Sequence, residues 1–414
     1  MRVLLLTNYF PPHYAGGAEV VVYNTCRGLR ERAMDASVLM VNGRMPRANN
    51  ERRLVQDVPV RELTHEPYLL NNRVVQAWDP RVYRDVLSEL RKVQPDLVHV
   101  HNVSGASLAP FTACQRLGIP VVLTLHDFWL LCPNNMLYRG DGLLCDPSGE
   151  ASGCGQCFRR YDYWADIPQR RKAFAHLVRH VRFFISPSQK LADLHAAAGY
   201  DPGRFRVVPN ALEPTSYRPP SDPRVRAVIR ERGRYGTLLF AGALVETKGV
   251  PTLIEAIPLL SRYVDRFRLI VAGEGEERFA RALRQVGQSR VKLLGRVPFQ
   301  EMRALYAAAD LTVLPSTWYE NSPMVIYESM LAGTPVLGSD IGGIPELIDE
   351  DVTGYTFRPG DAAALTAQVV RHLSRSAMER RRMRRRCAQR ARAEMTLESH
   401  LDRLQSVYAA ALDN

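Results

Sequence analysis

The sequence predicts an α/β protein built from two domains with parallel sheets, on three observations. Leu311 to Gly338 reads as a short apolar strand (Leu311–Leu314), a polar loop, a helix and a second strand (Val336–Gly338). A strand–helix–strand order of this kind belongs to parallel sheets. The alternation recurs along the chain, and polar residues gather at the carboxyl ends of the strands, where such sheets bind ligands. With 414 residues, the chain is too long for one ordinary core.

Hydrophobic residues make up 46% and charged residues 24%, the balance of a soluble globular protein. No apolar run approaches the roughly eighteen residues of a membrane span. The run Val3–Leu6 is too short for a signal peptide, so a cytoplasmic location is expected.

The first domain is placed at residues 1–209. Arg2–Thr7 is a strand, followed by a loop with two prolines and the pair Gly16-Gly17. A glycine pair before a helix lets the backbone approach a ligand closely, and a plain tight turn is the simpler alternative. A helix is predicted over 18–30 and a strand over 37–41. Residues 42–53 are polar and read as an exposed loop, and 80–93 is an amphipathic helix. The strand 97–101 delivers His99, His101 and Asn102, and the strand 121–125 ends in His126-Asp127. His126 is the catalytic candidate here, with His99 and His101 behind it. Residues 206–209 form the last strand, and the proline-rich stretch 210–222 is the linker.

Between these elements lie Cys132, Cys145, Cys154 and Cys157, in a segment (131–158) rich in Gly, Pro, Asn and Asp. Four thiolates closing in C-x2-C suit a structural zinc, which would staple a segment that has little apolar material to fold on. Redox disulfides, an iron–sulfur cluster and free thiols are the alternatives.

The second domain is placed at 223–395. After the strand 237–241, Lys248-Gly249 puts a cation on a strand-to-helix loop, a place suited to phosphate oxygens. Arg296 follows the strand 291–294 and is a further candidate cation. In the stretch that follows Leu311, Ser322 is the expected N-cap and Pro323 the first helical residue. Ser322, Met324 and Val325 would then present a helix N-terminus to an anion. Glu320 precedes that helix and Glu328 lies in its second turn. Carboxylates beside a phosphate site suit the hydroxyls of a nucleotide sugar; solvated surface acids are the plainer alternative. Net charge is +12, and the helical stretch from Arg371 to Glu394 holds ten Arg against two Glu. A solvated helix face is the plain reading of that charge, and contact with an anionic membrane or polymer the sharper one. No nucleic-acid motif accompanies it.

Glu320-x7-Glu328, with Leu331 to Val336 (LAGTPV) and Gly342-Gly343-Ile344-Pro345-Glu346, resembles the nucleotide-sugar half of family-four glycosyltransferases (glycosyl transferases group 1). These are retaining enzymes of the GT-B fold, two Rossmann-like domains with parallel sheets facing each other across a cleft. The resemblance covers nearly the whole chain and is strongest in the second half. It implies an acceptor-type first domain, a nucleotide-sugar second domain, and a last helix (396–414) that crosses back to the first. It also implies that Gly16-Gly17 lie against donor phosphates and acceptor, that His126 contacts the transferred sugar, and that the loop at Gly295-Arg296-Val297 holds the base. The expected activity is that of a hexosyltransferase. A sugar would pass, with retention, from a nucleotide diphosphate sugar (UDP ahead of GDP) to a hydroxyl of a glycan, lipid-linked or small-molecule acceptor, with no cofactor required for catalysis. Ala243 stands where relatives usually carry Arg. A sugar-nucleotide epimerase and a non-catalytic nucleotide-sugar-binding protein are the rivals.

Overall fold

In the computed structural model of the protein, the described residues are 1–12, 17–42, 49–65, 78–102, 105–148, 154–157, 167–212 and 219–413. The chain divides into two units, one of residues 1–211 with 397–414 and one of residues 212–396.

Unit 1 is organised on an eight-stranded sheet. β1 (Arg2–Thr7) is buried after its first residue, as its apolar run requires. Around it lie β2 (Asp35–Asn42), β3 (Asn49–Val55), β4 (Val58–Thr64), β5 (Leu97–Val100), β6 (Val121–Thr124), β7 (Val181–Ser186) and β8 (Phe205–Val207). Their order is β3-β4-β2-β1-β5-β6-β7-β8. All neighbours are parallel except β3 and β4. This pair corrects the expectation of an exposed loop over residues 42–53: the chain from Asn49 is a strand. Gln56 and Asp57, both at positive φ, make the two-residue turn that joins β3 to β4, and such turns match strand twist. The strand was hidden because it is polar and edge-placed. Charge on an edge guards it against further pairing, and Leu54 is left 71% exposed.

The helices of unit 1 are α1 (Gly17–Glu31), α2 (Pro80–Val93), α3 (Ala109–Leu117), the single turn α4 (Cys154–Cys157), α5 (Ile167–Leu177) and α6 (Gln189–Ala197). Asp79 caps α2 by accepting from the Arg81 amide, and Ser188 caps α6 by accepting from the Leu191 amide. A side-chain cap of this kind is worth about 1 kcal/mol.

Unit 2 carries an all-parallel sheet of six strands, ordered β11-β10-β9-β12-β13-β14. They are β9 (Gly236–Ala241), β10 (Phe267–Ala272), β11 (Val291–Gly295), β12 (Leu311–Leu314), β13 (Val336–Ser339) and β14 (Gly354–Phe357). The helices are α7 (Pro223–Arg230), α8 (Val250–Tyr263), α9 (Glu277–Gly287), α10 (Phe299–Ala308), α11 (Met324–Leu331), α12 (Ala362–Leu373) and α13 (Ala377–Glu394). One core cluster packs Leu238, Phe240, Val271, Leu311, Val313 and Leu337 of the sheet against Leu253 and Ile257 of α8.

The Arg-rich stretch is not one helix. α12 stops at Leu373, and Ser376 opens α13 through a reciprocal capping box with Glu379. Three of its arginines work on backbone carbonyls that helix ends leave unpaired. Arg380 donates to the carbonyls of Leu373 and Arg375, Arg384 to those of Ala307 and Ala309, and Arg390 to those of Glu346 and Leu347.

The chain ends in α14 (Leu397–Asp413), which belongs to unit 1. Leu401, Leu404, Val407 and Tyr408 join the buried cluster of Val3, Leu5, Val22 and Val38. Burying one such side chain is worth roughly 1.5–3 kcal/mol. The same helix makes an ion pair between Asp402 and Arg32 with Asp402 largely exposed; pairs of that kind contribute about 0–1 kcal/mol, so apolar packing holds the helix.

Candidate functional site

In unit 2 the strand order steps outward in both directions from between β9 and β12. The loops after those two strands therefore open a crevice at the carboxyl edge. Lys248 ends the short turn Glu246–Lys248 that follows β9. Gly249 comes next at φ +71°, and a Cβ there would fall 1.7 Å from the Pro315 carbonyl oxygen. Only glycine lets this loop lie against the end of β12. As a result Lys248 Nζ sits 2.6 Å from Glu320 Oε1. Ser316 Oγ (2.8 Å) and Trp318 Nε1 (3.0 Å) donate to the same oxygen. The ammonium also lies 5.3 Å from the centre of the Trp318 ring, within range of a cation–π attraction.

A second glycine fixes the backbone of Glu320. Gly342 has φ +60°, and a Cβ there would meet the Glu320 carbonyl oxygen at 2.3 Å. The Gly343 amide donates to that oxygen at 2.7 Å. The Gly342-Gly343 pair of the sequence motif is thus a clasp on Glu320.

α11 starts at Met324, with Val325 next, and no side chain caps it. This corrects the expectation for Ser322. Pro323 occupies the cap position, while Ser322 is buried with its hydroxyl 2.6 Å from that of Tyr327. The bond to Tyr327 has taken the hydroxyl that the local rule assigned to the helix end. Uncapped first-turn amides remain suited to an anion.

Glu328 lies on the next turn, half-buried. Tyr306 of α10, fully buried, donates to its Oε2 at 2.7 Å. Burial raises the Glu328 pKa above the usual carboxylate value, and the tyrosine hydrogen bond opposes that rise. Arg296 stands exposed after β11, with its amide on Glu274 Oε1 at 3.1 Å. Its placement there gives it no contact with Lys248 or Glu320 among the described residues.

Unit 1 assembles its polar residues at the ends of β5 and β6. His101 Nδ1 lies 3.0 Å from His126 Nε2, and the two rings stack. His99 is tied to Tyr408 of α14 (2.6 Å) and to Thr124 (2.7 Å). Burial pushes His126 down to about 4 and holds His99 and His101 well below the ordinary imidazole value. These are neutral rings at pH 7. Asp127 accepts from the Trp129 amide at 2.8 Å, and burial pushes its carboxyl up to about 6. Gly17 is the first residue of α1; Gly16 lies outside the described residues.

The four cysteines share one corner of unit 1 and are unbridged. Burial, then the neighbouring sulfurs of Cys132, Cys157 and Cys154, push the Cys145 thiol up to about 12. Among the described residues no group of three or more His, Cys, Asp or Glu is arranged to hold a metal. Arg170 and Arg171 of α5 pin the segment by donating to the carbonyls of Trp129, Leu131 and Pro147. Part of the segment (149–153 and 158) lies outside the described residues.

Ser316, Trp318 and Tyr306 are the functional neighbours that the sequence alone does not disclose. Ser316 and Trp318 stand four and two residues before Glu320 in the same loop, but nothing in the sequence turns their donors toward its carboxylate. Tyr306 is 22 positions from Glu328, with no periodicity that links them.

Two family models match the chain. One, described as Glycosyltransferase Family 4, matches residues 15–216; the other, Glycosyl transferases group 1, matches residues 236–375. An uncharacterized glycosyltransferase of Methanocaldococcus jannaschii is 26% identical over 382 residues, covering 90% of this chain and 89% of its own. Glycogen synthase of Mycobacterium tuberculosis is 27% identical over 406 residues, with 93% and 89% covered. Among solved structures, the Anabaena protein HepE in complex with UDP superposes with a TM-score of 0.73 at 19% identity, covering 99% of this chain and 100% of its own.

Proposed function

Because the chain belongs to the group 1 glycosyltransferases and has their GT-B fold, we propose that it moves a sugar with retention from a nucleotide diphosphate sugar, UDP ahead of GDP, to a hydroxyl acceptor. The observation that carries this reading is the Lys248–Glu320 pair at the switch point of the unit 2 sheet, beside the uncapped start of α11. Without a ligand, Lys248 spends its charge on Glu320. A donor diphosphate would draw that ammonium onto its oxygens and rest on the amides of Met324 and Val325. Glu320, still held by Ser316 and Trp318, would then be free to accept hydrogen bonds from the sugar. Charge developing on the leaving diphosphate meets a cation and dipoles already in place. Glu328 takes the ribose hydroxyls. The UDP found with HepE supports uracil as the first base to try.

At its strand ends unit 1 supplies neutral imidazoles, beside a single carboxylate among the described residues, Asp127, whose Oδ1 is occupied by the Trp129 amide. His126 in this reading contacts the transferred sugar and does not deprotonate the acceptor, so the leaving phosphate takes that proton from the same face. Retention is the consequence. Proton NMR of the product made from an α-linked donor whose sugar H2 is axial tests it. A small anomeric coupling is expected, and a large one, marking a β-linkage, would overturn the mechanism.

Two further roles complete the reading. Cys132, Cys145, Cys154 and Cys157 would draw together around one structural zinc. Arg381, Arg382, Arg385, Arg386 and Arg392, which point outward from α13, would rest on anionic lipid at the inner face of a membrane. Met378, 77% exposed at the start of that helix, would add an apolar contact. The protein would then be cytoplasmic and peripheral, and no helix among the described residues is long and apolar enough to cross a membrane.

A further inference from the structure

Tyr306 is completely buried, on a helix that packs under the sheet of unit 2 among Leu239, Ala241, Leu305 and Ala309. A phenol in such a place needs a partner for its hydroxyl. Its partner is Glu328 Oε2, at 2.7 Å. The register between the two helices that carry these residues is itself locked. Thr334 Oγ1 donates to the Tyr306 carbonyl at 2.6 Å, and Ser329 Oγ donates to the Thr334 carbonyl (2.9 Å) and lies 2.7 Å from Thr312 Oγ1, from which it accepts. Thr312, Ser329 and Thr334 are all fully buried. A network with every member satisfied behaves as a rigid mount.

Glu328 meets this mount with one oxygen only. Oε2 is spent on Tyr306, while Oε1 has no protein partner among the described residues and is not among the buried unpartnered atoms. The carboxylate is therefore anchored at its back and open at its front.

We propose that Tyr306 is a positioning residue for the donor: its hydroxyl fixes the carboxylate of Glu328 so that Oε1 faces the ribose hydroxyls of the nucleotide. The inference rests on the reading of Glu328 as the ribose acceptor. It goes further by assigning the part of the site that makes a half-buried carboxylate serviceable. Without the tyrosine hydrogen bond, a carboxylate in this place would turn more freely and would hold its proton to higher pH, since burial raises its pKa and Tyr306 opposes the rise. A protonated Glu328 could not accept at both oxygens, and ribose binding would fall. Tyr306 thus widens the pH range over which the site takes its nucleotide.

The test uses calorimetric titration of the full chain, wild type, Tyr306→Phe and Glu328→Gln, from pH 5.5 to 8.5. The probes are whichever of UDP, GDP and ADP the wild type binds, and its 2′-deoxy counterpart. Phenylalanine keeps the ring and its packing, and thermal melts of the variant serve as the folding control. For Tyr306→Phe the acid limb of the affinity profile should move to higher pH, so that affinity is lost at the acid end of the range, and stays within about threefold of wild type at pH 8.5. Glu328→Gln should lose most of the preference for ribose over deoxyribose at every pH. A Tyr306→Phe profile that overlays wild type, or one lowered equally at every pH, would overturn the role of Tyr306 and leave Glu328 standing. An unchanged ribose preference in Glu328→Gln, or no nucleotide bound by the wild type, would overturn the donor-site reading beneath it.

Discussion

The two units place chemistry of opposite character at the ends of their strands. Unit 2 offers fixed charge: Lys248 and Glu320 in contact at 2.6 Å, and Glu328 one helix turn beyond the uncapped start of α11. Unit 1 offers buried, uncharged imidazoles. His99, His101, His126, His195 and His400 all lie in unit 1 with their pKa values pushed down by burial, against His372 alone in unit 2. A diphosphate needs charge that is already in place, whereas a sugar hydroxyl needs hydrogen bonds without a competing base. The contrast teaches that the division of labour between the units can be probed by charge and by proton separately.

The largest expected effect is on unit 2. Glu320→Gln keeps the shape of the side chain but removes the charge that Lys248, Ser316 and Trp318 converge on. Turnover should fall about 10²-fold, in the range found when one preorganised polar group of an active site is removed, with donor KM changed much less. Steady-state kinetics would decide, and a kcat within a factor of three of wild type would remove Glu320 from the chemistry.

The next effect is on unit 1 and runs with pH. A histidine whose folded pKa lies below its unfolded value of about 6.5 contributes stability that is fully present above pH 6.5 and is lost as pH falls toward the folded value. For His126 and His195 that value is about 4. Acidification from pH 7 to pH 5 should therefore loosen unit 1 first, by about 2 kcal/mol for each such group. Hydrogen exchange, corrected for intrinsic rates, should show β5, β6 and β7 losing protection before β9, β12 and β13. Equal loss in both units would break the comparison.

Zinc would sharpen it further, since all four thiols belong to unit 1. Purified protein should hold about one zinc per chain, and Cys154→Ser should lose it. Metal-free protein with four freely alkylated thiols would return the cysteines to simple packing. The smallest effect is expected at α13. Changing Arg381, Arg382, Arg385 and Arg386 to Gln should weaken sedimentation with anionic liposomes severalfold, more so at low salt. Donor affinity should stay as it was. Equal binding to neutral liposomes would leave α13 as a solvated face.

The legibility of the sequence follows the same division. Gly342-Gly343 enters only through the resemblance to the family motif, whereas Lys248-Gly249 and Glu320 are readable because each sits in a short loop that follows a strand. Their convergence on one crevice was readable from parallel topology. Tyr306 was not, since its link to Glu328 depends on how α10 packs against α11. Ser322 was misread because capping rules are local, and a hydroxyl from the first turn of the same helix competes for the serine. In the Arg-rich segment the charges could be counted. That Arg384 and Arg390 are taken up by helix-end carbonyls could not, because those carbonyls come from other parts of the chain, and Arg380 finds its own only because the segment breaks into two helices after Leu373. β3 was missed for a different reason: an edge strand with one polar face and few apolar residues has no hydrophobic period to detect.

The central claim is that unit 2 grips the donor by its diphosphate through Lys248. Its most direct test is calorimetric titration of UDP, with uridine as the control, into wild type and Lys248→Ala at two salt concentrations. Wild type should bind UDP at least tenfold more tightly than the variant, with the steeper salt dependence, and uridine should bind both chains alike. Equal affinity of the two chains for UDP, with the same dependence on salt, would contradict the account.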